Sequence, residues 1–202
     1  RPNNITPLEK DEGKSADAYK VSKQADSLMI FYNFGKDQVD TILDDLNYQL
    51  PEDYVTSNLH YYLARTSHGS TLSRVVHAQL AAMVDNQKLA WDLYQEALYS
   101  DYRDIQGGTT AEGIHAGVMA ATLYIPLTTF AGLDIRGPIV SFKPNLPNAW
   151  TSIAFKFKSR GVNFSVLVEP NKLTLTADKE ITIAANKKEV LLTANTPKEI
   201  AY

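Results

Sequence analysis

Gly132-Leu133-Asp134-Ile135-Arg136-Gly137 is where the chain changes its hydrophobic period. Upstream of it, from Tyr19 to about Leu133, apolar residues recur at helical spacing; from Asp134 onward they alternate as in strands. The boundary between a helical half and a β half is therefore placed near Gly132 to Gly137. With 202 residues and 44% apolar content, the chain can bury a core in one or two domains.

Upstream, the spacing predicts a helix over Val21 to Phe34, stopped by Gly35 as a C-terminal cap, and a second from Asp37 to about Gln49, stopped before Pro51. Three more are expected, over Ser70 to Val84, Lys88 to Ser100 and Thr110 to Phe130, with Pro126 kinking or ending the last. Downstream, Ile153, Phe155 and Phe157 alternate with Ala154, Lys156 and Lys158. After Ser159-Arg160-Gly161 the alternation resumes at Val162, Phe164, Val166 and Val168, which is a hairpin pattern. Short strands at Leu173/Leu175, Ile181/Ile183 and Val190 to Leu192, separated by Pro170-Asn171 and Asn186-Lys187 turns, predict a small antiparallel sheet or sandwich. That half has no histidine and few paired acids, so it reads as scaffold.

Composition narrows the function classes. A net charge of -3, with both signs interspersed, argues against a nucleic-acid surface, which needs clustered Lys and Arg. No apolar run approaches the roughly 18 residues of a membrane span, and Arg1-Pro2-Asn3-Asn4 does not resemble a secretory signal. The chain has no cysteine, which excludes disulfides and thiol chemistry and fits a cytoplasmic location. Beginning at Arg1 without methionine, it is expected to be a processed product or a piece of a longer protein.

Three polar clusters interrupt the helical half. Lys23-Gln24-Ala25-Asp26 could bond sugar hydroxyls or a phosphate, or simply form a solvated helix face. Tyr61 to Ser73 ends in Thr66-Ser67-His68-Gly69-Ser70-Thr71-Leu72-Ser73, with hydroxyls, a histidine and a glycine just before an amphipathic run. There free backbone N–H groups would meet an anion, or Ser and Thr would cap the helix. Asp104 to Met119 carries Thr109 and Glu112 at capping-box spacing, and Gly113 and Gly117 suggest close approach by a neighbouring helix or a ligand. His68 and His77 are nine apart and no HExxH, GxSxG, P-loop or GxGxxG is present, so no metal site is expected.

Lys23-Gln24-Ala25-Asp26, Thr66 to Ser73 and Thr110-Ala111-Glu112-Gly113-Ile114-His115, in this order and followed by a β domain, resemble glycoside hydrolase family 65. That family includes inverting phosphorylases of maltose, trehalose and kojibiose type. The resemblance implies the C-terminal portion of such a protein: an α+β multidomain chain in which closing helices of an (α/α)6 barrel precede a small antiparallel β domain. Residues 1–20 would be an extension or linker, 21–133 the partial barrel and 134–202 the β domain. It further implies phosphate near His68, Ser70, Thr71 and His115, glucose near Lys23 and Gln24, and inorganic phosphate as co-substrate without any further cofactor. The catalytic general acid is expected upstream of this chain. The implied reaction cleaves an α-glucoside with phosphate to β-glucose 1-phosphate and a sugar, with a protonatable histidine easing charge repulsion. Alternatives are a family 65 hydrolase or a non-catalytic structural or carbohydrate-binding fragment. Expected partners are a glucose-containing disaccharide, phosphate, the remainder of the parent polypeptide and a second copy in a homo-oligomer, with no nucleic acid or membrane.

Overall fold

A computed structural model of the chain describes residues 20–103 and 113–202, and it divides into two units, Arg1–Thr122 and Leu123–Tyr202. The first is helical. A 3-10 turn, Asp26–Leu28, leads into α1 (Met29–Phe34), followed by α2 (Lys36–Asp45), α3 (Tyr54–Leu63), α4 (Leu72–Met83), α5 (Gln87–Leu98), the short α6 (Ser100–Arg103) and α7 (Ala116–Ile125), which crosses the division.

Gly35 ends α1 as expected, at φ 73° with its N–H on the Phe31 carbonyl. The expected helix starts at the Asp26–Leu28 turn and not at Val21. Ser22 instead pairs with Thr66 as an isolated parallel bridge, because its backbone groups bond the neighbouring loop. Helix α2 stops at Asp45, short of Gln49. Asn47 adopts φ 58°, the Tyr48 N–H reaches the Leu43 carbonyl and the Asn47 N–H that of Asp44, a Schellman closure with asparagine in the glycine position. The same closure ends α4, where Asp85 (φ 56°) and Asn86 bond the Ala82 and Ala81 carbonyls. Asn86 then caps α5 by accepting the Leu89 N–H at 3.1 Å.

Helix α3 was not visible in the hydrophobic spacing. Its residues, Tyr-Val-Thr-Ser-Asn-Leu-His-Tyr-Tyr-Leu, are mostly β-branched, aromatic or short polar types with weak helix preference. Tertiary contacts hold it: Tyr54 donates to Asp40 on α2 at 2.7 Å, and its ring packs against Phe31. Leu28, Leu59, Val76 and Leu80 are fully buried at the centre of this unit, and α4 is buried from Ser73 to Ala81.

The helix expected over Thr110 to Phe130 is shorter. Its start, with Thr109 and Glu112, lies outside the described residues, and α7 begins at Ala116. Pro126 has no N–H for the Thr122 carbonyl, so the α-helix ends at Ile125 and a π-turn, Pro126–Phe130, follows. The released Thr122 carbonyl accepts the Tyr94 hydroxyl at 3.3 Å.

The second unit holds two four-stranded sheets. One has the order β1 (Leu133–Asp134), β2 (Ser141–Phe142), β6 (Ile181–Ala185), β7 (Lys188–Leu192). The other runs β3 (Ile153–Ser159), β4 (Val162–Glu169), β5 (Lys172–Ala177), β8 (Lys198–Ala201). The predicted hairpin pairs Ile153 with Val168 and Ser159 with Val162, closed by Arg160 and Gly161 at positive φ. Asn171, and the pair Asn186 and Lys187, supply positive φ at the other expected turns. Alternate residues of β4 and β5 point into a core with Phe142, Ile183 and Leu192. The expectation of antiparallel pairing fails at one place: β2 pairs with β6 in parallel, since the chain reaches that edge by crossing over and not by a hairpin.

Candidate functional site

Backbone hydrogen bonds bring the first two polar clusters together. The Ser22 N–H bonds the Arg65 carbonyl at 3.0 Å, the Ser67 N–H the Ser22 carbonyl at 2.8 Å, and the Gly69 N–H the Lys23 carbonyl at 2.9 Å. The Lys23-Gln24 segment is thereby zipped along the His68 loop. A side chain at Gly69 would press on Lys23, with a Cβ only 3.2 Å from its Cγ. Gln24 and Asp26, whose side chains bond each other at 2.7 Å, line a small pocket with Met29, Leu72, Ser73 and Val76.

The loop delivers the chain into the N-terminus of α4. Thr71 takes the cap position at φ -61° and ψ -30°, yet its hydroxyl makes no capping bond. It is 1% exposed, and Oγ1 has no partner among the described residues. The alternative of a simple Thr cap is therefore not what this residue does. A helix start carries about half a positive charge and donors without intrahelical partners, and a buried hydroxyl beside them is a further group for an anion to satisfy.

His68, at φ 52°, has Nδ1 3.0 Å from the Ser73 hydroxyl and packs edge-on against the His77 ring at 5.2 Å. His77 Nδ1 lies 2.8 Å from the Ser73 carbonyl, which can only accept, so this nitrogen carries the proton. Burial, the His77 ring and the Arg74 charge push the His68 pKa down from 6.5 to about 4. At neutral pH His68 is thus uncharged, and it would serve an anion as an N–H donor.

Arg74, which spacing did not single out, is buried in α4 together with Ser73, read only as the end of the hydroxyl-rich loop, and His77, read only as lying out of metal-ligand spacing. Arg74 donates from Nε to Glu96 of α5 at 2.8 Å, while its Nη1 is buried with no partner among the described residues. The available signal was a polar stripe at i, i+1 and i+4 within an otherwise mostly apolar helix.

His115 is held elsewhere. Asp101 of α6 accepts both the His115 ring Nδ1–H, at 2.8 Å, and its backbone N–H, at 2.9 Å. These bonds keep the Asp101 carboxyl below its usual range. No described bond links His115 to the His68 loop. Added Cβ atoms at Gly113 and Gly117 would meet open space, so among the described residues no neighbour approaches these glycines. Likewise no described group of three His, Asp or Glu could hold a metal ion.

Comparison with known proteins identifies the family. The family model "Glycosyl hydrolase family 65 central catalytic domain" matches residues 1–124, and "Glycosyl hydrolase family 65, C-terminal domain" matches 133–192. A trehalose 6-phosphate phosphorylase of Lactococcus lactis is 44% identical over 94% of this chain, and an α,α-trehalose phosphorylase of Geobacillus stearothermophilus 30% identical over 91%. The chain spans 25% and 23% of the lengths of these two relatives. A solved structure from the human microbiome, provisionally named a kojibiose phosphorylase, covers 98% of the chain with TM-score 0.74. At 24% identity, and with 26% of that structure matched, it establishes the likeness in fold. Helices with a buried polar stripe, a β-sandwich after them and two adjoining family matches lead to one conclusion: the chain belongs to glycoside hydrolase family 65.

Proposed function

We propose that the protein carrying this chain is an inverting disaccharide phosphorylase, and that the N-terminus of α4 is its phosphate cradle. The observation that carries the reading is the buried, unpartnered Thr71 hydroxyl at a helix start whose loop, Arg65 to Ser73, contains no acid. A hydrolase would need a carboxylate there to activate water, whereas phosphate arrives ionised and has only to be held in line. In this reading Ser70, Thr71 and neutral His68 donate to phosphate, with His115 as a further contact. Lys23 and Gln24 bind the glucose unit, which their zipped position beside the loop supports. An acid protonates the glycosidic oxygen while phosphate attacks the anomeric carbon from the opposite face, giving β-glucose 1-phosphate from an α-glucoside.

We assign that acid to a segment outside these 202 residues, so the chain alone should turn over no disaccharide. The domain reading is part of the same proposal, with 21–133 forming part of the barrel and 134–202 the β domain. Exposed Leu46, Tyr48 and Leu50 support association with the rest of the polypeptide or with a second copy. The test is to incubate the complete protein with trehalose 6-phosphate, trehalose, kojibiose and maltose, with and without phosphate. Release of β-glucose 1-phosphate only when phosphate is present is expected. Glucose release without phosphate would overturn the reading.

A further inference from the structure

Arg74 is a buried cation in the first turn of α4, the positive end of its own helix, where a cation is disfavoured. Its one described anionic partner does not satisfy it: Glu96 takes Nε at 2.8 Å and has a side chain 54% exposed, while Nη1 is covered and unpartnered. A buried guanidinium nitrogen left without an acceptor has lost its water and gained nothing in return. Placement and half-satisfaction together call for a second anion.

We propose that Arg74 is a further phosphate-binding residue of this site, a standing cation that Glu96 holds in place until phosphate arrives. Arg74 follows Ser70 by four residues and Thr71 by three, so all three share one face of the turn. Helical side chains lean toward the N-terminus of their helix, the end at which Thr71 has its own buried, unpartnered hydroxyl. The planar fork suits a phosphate, with one nitrogen already committed to the carboxylate and others available. The Arg74 charge also reaches the loop, since it contributes to keeping His68 deprotonated. Among the described residues, the groups that interact electrostatically with this cation are Glu96 of α5 and His68, whose pKa is pushed down to about 4; His77, packed on His68, is also lowered by burial.

This inference rests on the phosphorylase reading, and calorimetric titration of the complete protein with inorganic phosphate separates the two. If the unaltered protein binds no phosphate, the phosphorylase reading fails. If it binds and Arg74→Gln binds equally well, only the role of Arg74 is overturned. The expected result is that Arg74→Gln weakens phosphate roughly tenfold or more, with KM for the disaccharide little changed and Arg74→Lys recovering part of the loss. A clamp that merely joined α4 to α5 would instead lower Tm and leave the phosphate-induced rise in Tm intact. Should Arg74→Gln not melt cooperatively, Glu96→Gln decides. Removing the competing carboxylate is expected to tighten phosphate several-fold, and an unchanged affinity would overturn the proposal.

Discussion

At His68 the unfolded chain takes up a proton more readily than the folded one, because burial, His77 and Arg74 hold the folded pKa near 4 against an ordinary value of 6.5. Burial also lowers His77. Between these limits the unfolded state binds more protons, so stability falls as pH is lowered from about 6.5 toward 4 and is flat for these groups above it. Melting curves from pH 7.5 to 4.5 should show Tm declining in that window, and His68→Gln should make the decline shallower. A slope unaffected by the substitution would show that His68 does not titrate this way. Gly132 presents a steric problem of a different kind. It sits at φ 69°, and a Cβ there would lie 2.0 Å from the Lys143 carbonyl oxygen, a backbone atom tied back to Gly132 by the Lys143 N–H. Gly132→Ala should therefore destabilise the β unit by about 3 kcal/mol or more in denaturant titrations, because backbone and not a pliable side chain must move.

Among elements, α7 shows how a lost helix bond is recovered. Pro126 leaves the Thr122 carbonyl without its helical donor, and the buried Tyr94 hydroxyl of α5 takes the place. Tyr94→Phe keeps the ring but orphans that carbonyl, so a loss of about 1–2 kcal/mol is expected by chemical denaturation. The π-turn itself could not have been read from the sequence, although the proline that causes it could. The same contrast runs through the fold. The β3–β4 hairpin and α4 were legible because a local period of two or 3.6 is written into their residues, with Arg160-Gly161 marking the turn. Helix α3 and the Ser22 bridge were not, since Tyr54 is held by Asp40 and Phe31 and Ser22 by Arg65 and Ser67, partners far along the chain. The site divides likewise. Ser70, Thr71 and His68 stood out as a hydroxyl-rich loop, while the burial of Arg74 and His77 depends on partners that spacing does not reveal, Glu96 of α5 and the His68 ring.

For the whole molecule, the two units differ in what they leave uncovered. The β unit buries Phe142, Phe164, Leu173, Leu175, Ile183 and Leu192 between two four-stranded sheets and exposes fewer large apolar side chains, Leu123, Tyr124, Ile135 and Leu191. The helical unit buries its core around α4, but Val21, Ile30, Phe34, Leu46, Tyr48 and Leu50 remain exposed in this chain, which spans 25% of a 44% identical relative. Apolar surface left in water lowers the stability of the separate unit and invites association. Leu123–Tyr202 expressed alone should therefore unfold in one cooperative step, with dispersed amide resonances. Arg1–Thr122 alone should bind a hydrophobic dye and associate with rising concentration. A monomeric, dye-silent helical unit would mean that its exposed side chains form no docking surface, and the partial-barrel reading of residues 21–133 would fall with it.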